Sequence, residues 1–244
     1  MNPLIAKLEQ FARLSDGDRR LLEDAARDVR RLEAHRDVIA EGDRPDHVHL
    51  LLEGWAVRYK VLPGGERAIM AYLIPGDLCD LHVALLDRMD HSIGTLTPAR
   101  VAYIPRGTVG ALMGRGDDLA RALLWSTLVD EAILREWLVS MGRRPADKRV
   151  AHLVCEMLLR SRAVGLTDDD GFDLPLTQEE LADTMGITPV HMNRTLQLLR
   201  QDGLITTEGR RVTVSDPGRL MELADFDPNY LHQEGGGPAR PARA

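Results

Sequence analysis

The residues of this 244-residue chain best suited to recognition chemistry lie between Gln178 and Arg211. On a helical projection of Pro189–Gln201, Val190, Arg194, Gln197 and Gln201 share one side, flanked by His191 and Asn193. Met192, Leu196 and Leu199 fall opposite and are expected to pack inward. A guanidinium offers a planar fork of donors, and an amide offers both a donor and an acceptor. That mixture, with a small apolar group beside it, reads base edges in a DNA groove. Gln178, Thr188 and Pro189 extend the set toward the approach to this helix, and Arg210 and Arg211 add charge suited to phosphates. A solvated helix in an ordinary bundle shows the same periodicity, so the neighbouring elements decide between the two.

Those neighbours are defined by local signals. Thr177 and Glu180 form the pattern of a capping box, with Leu176 and Leu181 placed as a hydrophobic staple. Gly186 supplies a left-handed helix end, Thr188 a second cap, and Pro189 a first-turn residue with no amide to satisfy. Two short helices joined by a glycine turn make the helix-turn-helix layout. Past Gly203, Leu204–Thr207, a Glu208-Gly209 turn and Arg211–Val214 read as a β-hairpin with Arg210 and Arg211 at its tip. A helix-turn-helix followed by a basic-tipped hairpin is a winged helix, a more specific pattern than either part.

Composition sets the frame. Hydrophobic residues make up 44% and charged residues 28%, the balance of a soluble chain long enough for two domains, and the formal net charge is −7. Residues 145–244 carry 11 Lys/Arg against 16 Asp/Glu, a balance of −5. DNA contact must therefore come from local placement of cations and not from the overall field. Cys79 and Cys155 are too few for a disulfide framework or an iron–sulfur cluster and fit a reducing cytoplasm. No apolar run reaches the roughly 20 residues of a membrane helix, and Met1–Lys7 lacks a signal peptide's apolar core. No nucleophile–base or paired-carboxylate motif has a defined context, so no enzyme is expected.

Taken in order, residues 3–33 read as short helices, with Ser15 as a cap and Leu21, Leu22, Ala25 and Val29 continuing the period. From Val38 to Ile104, short β-like runs punctuated by Gly42, Gly54 and Gly76 indicate an antiparallel sandwich or roll. A long helix then spans about Asp117–Met141. Its Leu123, Leu128, Ile133 and Trp137 belong to an apolar arc too wide for one packing surface, which predicts a homodimer seam. Gly142–Pro145 ends it, and Ala146–Ala163 forms the next helix. Asp168–Gly171 reads as a solvated turn, residues 216–232 as a small terminal helix and turn, and the Gly/Pro/Ala/Arg tail as disordered. The expected fold class is α+β. Its parts are a β-roll with N-terminal helices over 1–116, a dimerisation helix over 117–143, a winged helix-turn-helix over 144–232 and a tail over 233–244.

This order of parts resembles the Crp/Fnr family of bacterial transcription regulators over nearly the whole chain, most specifically from Thr177 to Val214. The resemblance implies a cyclic-nucleotide-binding-like roll and a homodimer whose recognition helices enter successive major grooves of a palindrome. RNA polymerase is an implied partner and a small-molecule effector a possible one. Arg194 matches the arginine that those regulators place on a base edge. Pro189 and Val190 stand where members reading the commonest operator carry arginine and glutamate, so a different operator is expected. Nucleotide-binding members present Gly-Glu-Leu and Arg-Ser at the effector pocket. Here the nearest positions are Cys79-Asp80-Leu81 and His91-Ser92, and imidazole lacks the fork that grips phosphate. Cyclic AMP is therefore not the expected effector, and no cofactor is expected.

His47, His49, His82 and His91 raise the question of haem or metal. Only His47 and His49 share even a generic spacing, so the expectation is ordinary polar histidines and no metal. Cys79 reads as a small core residue. The rival reading from another class is a ligand-binding roll dimer whose helical domain contacts a protein. The acidic balance of residues 145–244 favours it slightly, whereas Arg194 and the arginines of the wing favour DNA.

Overall fold

The computed structural model describes residues 2–168 and 170–233. Asp169 and the glycine-proline tail from Gly235 lie outside the described residues. Two helices come first: α1 (Pro3–Leu8), capped by Asn2, and α2 (Asp16–Ala25), with a full Ser15/Asp18 capping box. Helix does not continue to residue 33. Val29–Leu32 is instead strand β1, because it pairs antiparallel with Ala99–Ala102 and the Arg30 guanidinium lies 3.8 Å over the Tyr103 ring.

Strands β2 (Asp37–Ile39), β3 (His47–Glu53), β4 (Ala56–Val61), β5 (Arg67–Leu73), β6 (Ser92–Thr95) and β7 (Ala99–Pro105) follow, with a 3-10 helix at Leu81–Ala84. Strand β7 pairs antiparallel with both β1 and β3, β2 pairs with β6, and β4 neighbours β5. Two of the predicted glycines are required by their surroundings. Gly54 has φ +87° and a Cβ there would meet Pro98 O and Ala99 Cα, while Gly76 has φ +96° and lies against Pro3 O. An unexpected helix, α3 (Arg106–Met113), follows β7 and adds Val109 and Leu112 to the core.

Helix α4 (Asp118–Arg143) and helix α5 (Ala146–Ala163) come next. Short strands β8 (Thr167–Asp168) and β9 (Gly171–Asp173) flank the predicted aspartate turn. Then come α6 (Gln178–Met185), α7 (Pro189–Gln201), β10 (Ile205–Glu208), β11 (Arg211–Val214), α8 (Pro217–Leu223) and a 3-10 helix at Pro228–Leu231. The wing is larger than a hairpin, since β8 and β9 extend it to a sheet of order β10-β11-β9-β8.

The chain packs as two compact units. One comprises residues up to Ala56 with Leu73–Glu131, and the other comprises Val57–Tyr72 with Ala132–Leu231. The first has an apolar core around Val48, Leu50, Leu51, Ile93, Val101 and Leu119. The second is organised on α5, whose Val150, Leu153, Val154, Met157 and Leu158 are all buried. It also takes in Val57–Tyr72, which carries most of β4 and β5, and the end of α4 from Ala132. Tyr72 Oη lies in hydrogen-bond contact with Thr184 Oγ1, and Arg67 pairs with Asp183 at 3.0 Å.

Candidate nucleic-acid interface

The helix-turn-helix forms as its local signals dictate. Thr177 Oγ1 accepts from Glu180 N at 3.1 Å, and the Glu180 carboxylate accepts from Thr177 N at 2.8 Å. Gly186 closes α6 at φ +60°, and Arg149 Nη1 donates to Met185 O at 2.7 Å, satisfying a carbonyl at that helix end. Thr188 Oγ1 then accepts from His191 N at 3.3 Å to start α7, with Pro189 in its first turn.

The inward face of α7 is Met192, Thr195 and Leu199. Leu196 is only half-buried, and Thr195 takes the inward place because its hydroxyl donates to His191 O at 3.0 Å and needs no outside partner. Outward, Val190 is 81% exposed, and His191, Arg194, Gln197 and Gln201 are exposed along the same side, with Asn193 half-buried. Arg194 has no acidic partner among the described residues. Gln178, Thr188 and Pro189 are exposed at the approach to α7. The predicted base-reading positions are therefore solvent-exposed, apart from half-buried Asn193.

The two wing arginines differ. Glu208 pairs with Arg211 in the ladder, so the two-residue turn is Gly209-Arg210, with Gly209 at φ +60°. Arg210 is at the tip and exposed. Arg211 is not at the tip. It stands in β11, forms an ion pair with Asp168, donates to Asp168 O at 3.2 Å, and lies over Gly171, where any Cβ would strike it. Its charge is spent inside the wing sheet. Arg200, absent from the sequence-predicted set, donates to Thr207 Oγ1 at 3.0 Å and ties α7 to β10.

Behind the interface, α5 carries a buried polar network that the sequence does not reveal. Glu156 accepts from Trp137 Nε1 and Tyr230 Oη, each at 3.0 Å, and pairs with Arg160 at 3.1 Å. Burial pushes the Glu156 carboxyl above the usual carboxylate range, although Arg160, Trp137 and Tyr230 pull it down. His152 beside it is held down at about 4, first by burial and then by the Arg144 charge, with Glu136 opposing.

The proposed dimer residues separate in the same way. Leu123 belongs to the core of the first unit, Ile133 is buried, and Trp137 turns inward to Glu156. Of the predicted four, only Leu128 faces out. The exposed apolar residues of α4 include Leu124, Leu128, Leu134 and Leu138, the last 74% exposed, with Val139 and Met141 beyond them. An all-round apolar helix hides which side its own chain covers.

The predicted effector positions are dispersed between core and surface. Asp80 is fully buried, accepting from His49 N at 2.7 Å with its other oxygen 2.5 Å from His49 Nδ1. Leu81 is in the core, and Ser92 Oγ accepts from Glu41 N at 2.9 Å. His91 Nδ1 lies 2.6 Å from Asp90 Oδ1. The fold brings His82, Asp90 and His91 together, with a donor atom from each within 4.8 Å of the others.

A β-roll, a long helix with an uncovered apolar face and a winged helix-turn-helix with an open polar recognition surface define a DNA-binding transcription regulator with a sensory-type domain. Comparison with known proteins agrees. Residues 29–115 match the cyclic nucleotide-binding domain and residues 148–223 the Crp-like helix-turn-helix domain. The transcriptional activator protein FnrL of Cereibacter sphaeroides is 31% identical over 202 residues, 81% of each chain. The nitrogen fixation regulation protein FixK of Bradyrhizobium diazoefficiens is 27% identical over 188 residues, covering 77% of this chain and 78% of the relative. Among solved structures, FixK2 from Bradyrhizobium japonicum superposes with a TM-score of 0.72 at 23% identity, covering 80% of this chain and 96% of that one. The chain belongs to the Crp/Fnr family of transcription regulators. No helix among the described residues is long and apolar enough to cross a membrane.

Proposed function

We propose that the chain acts in the cytoplasm as a homodimer on a two-fold-symmetric DNA site, with α7 of each protomer in the major groove, and that it works with RNA polymerase. The observation that carries this reading is the exposed line Val190, Arg194, Gln197 and Gln201, in which Arg194 has no acidic partner among the described residues. A guanidinium left unpaired on a groove-facing helix is available to donate two bonds to guanine. Pro189 and Val190 stand in place of a charged reading pair, so Val190 and His191 read the neighbouring positions through apolar contact and an imidazole hydrogen bond. The uncovered α4 face supports two-fold association. The roll's effector is something other than cyclic AMP or cyclic GMP, because the carboxylate nearest the ribose-binding position is engaged with His49 and the phosphate-gripping arginine is His91.

The test is DNA binding by Arg194→Ala against specific and scrambled duplexes. We expect a loss of about 1–3 kcal/mol on the specific duplex with relaxed preference at one symmetric base pair. Equal weakening on both duplexes would remove the base contact from the reading.

A further inference from the structure

The segment from Asp80 to Ile93 holds two rigid supports with a polar cluster between them. The 3-10 helix Leu81–Ala84 is nailed to the core by Leu81 and Val83, which leaves His82 on its partly exposed side. Across from it, Met89 is buried and locked to the β2 turn by Met89 N to Asp43 O at 3.0 Å and Gly42 N to Met89 O at 2.8 Å. Immediately after come Asp90 and His91, and then Ser92 and Ile93 enter β6, the first bonded to Glu41 and the second buried. Two well-anchored elements thus present His82 on one and Asp90 with His91 on the other. The imidazole centroids are 5.4 Å apart.

We propose that His82, Asp90 and His91 bind one divalent transition-metal ion of the zinc(II) or iron(II) type. Two neutral imidazoles and one carboxylate match the borderline ions, whereas calcium and magnesium prefer all-oxygen shells. The donor atoms lie within 4.8 Å of one another in the ion-free arrangement. With bonds of about 2.1 Å, a tetrahedral ion would draw them to about 3.4 Å. Side-chain rotation of partly exposed His82 and exposed Asp90 supplies that closure, while His91 moves least. Three protein ligands leave a further position for water or a small anion. The substitution that removes phosphate chemistry at position 91 thus adds ligand chemistry, and the ion would clamp the 3-10 helix to the start of β6. This rests on the reading of the roll as the sensory part, but ion binding itself requires no DNA.

The experiment uses metal-stripped full-length chain titrated calorimetrically with zinc sulfate, and with cobalt(II) chloride followed by visible absorption. We expect one ion per protomer, with ligand-field bands for cobalt. Second-sphere changes alone cost metal sites about 10–100-fold, so His82→Ala and His91→Ala should each weaken binding by more than about 100-fold. Asp90→Asn should weaken it as well, while His47→Ala should not. Circular dichroism checks folding; should His91→Ala misfold, His82→Gln on the exposed side decides. Absent saturable binding, or unchanged affinity in both histidine variants, overturns the site. Binding of the metal-free chain to a specific duplex is scored separately. Failure of the metal site with DNA binding intact therefore rejects only this proposal.

Discussion

The recognition helix and the segment from Cys79 to Ser92 make opposite use of their charged groups. On α7, Arg194 stands in solvent with no acidic partner among the described residues. In the roll segment, Asp80 is wholly buried and bonded twice to His49, while Asp90, ten residues on, is exposed and beside His91. The difference follows from the cost of burying charge. A carboxylate in a core survives only if its oxygens are satisfied, and satisfying them leaves nothing to offer a ligand. A surface charge carries no such debt and stays available. Position along a family pattern is therefore a weaker guide to a binding role than whether the side chain already has a partner.

The largest expected effect tests the buried end of this contrast. Asp80→Ala strips both bonds from His49 and leaves a cavity in the roll. Breaking a buried pair from one side should cost about 3–5 kcal/mol. Asp90→Ala in the same segment should change stability very little. Urea unfolding of both variants measures the gap. Equal, small losses would mean that Asp80 is not a structural carboxylate, and an effector role for it would be open again.

What the sequence revealed and what it hid follow the same division between local and distant contacts. The Thr177/Glu180 box, the Gly186 turn and the Thr188-Pro189 start are set by residues within four positions of each other, and all formed as read. The outer face of α7 needed only helical period. By contrast, the Arg211–Asp168 pair joins residues 43 apart, and the His49–Asp80 bond joins residues 31 apart. Neither separation leaves a trace in spacing. In the sequence Val29–Leu32 continues the helical pattern before it, because four residues cannot display a period of their own, and only pairing with β7 makes it a strand. His82 and His91 have no recognisable ligand spacing, and it is the anchoring of Val83 and Met89 that brings their rings to a centroid separation of 5.4 Å.

A second prediction sharpens the inside–outside contrast along one helix. Ile133 and Leu134 are neighbours on α4, yet Ile133 is 7% exposed and Leu134 is 55% exposed. Leu134→Asp should leave the protomer folded and raise the dimer dissociation constant about 100-fold, or about 3 kcal/mol, by placing a charge in the apolar seam. Ile133→Asp should instead unfold the protomer, since its charge would sit within the chain's own packing. Light scattering with circular dichroism separates the two outcomes. A folded, dimeric Leu134→Asp chain would assign the exposed face of α4 some other role.

The smallest effect concerns the wing, where adjacent arginines have opposite surroundings. Arg210 is exposed at the turn, so its charge is free to release counterions from a phosphate. Arg210→Ala should weaken specific and scrambled duplexes alike and lower the salt slope by about one unit. Arg211 is held by Asp168 and covers Gly171, so its removal should leave the salt slope unchanged. A partly exposed ion pair of this kind contributes about 0–1 kcal/mol, so Arg211→Ala should cost the winged domain no more than that. Duplex binding at several salt concentrations distinguishes the pair. A slope that falls for Arg211→Ala and not for Arg210→Ala would show that the Asp168 pair opens when the wing meets DNA. Partner count in the unbound protein would then fail as a guide to which charges reach the backbone.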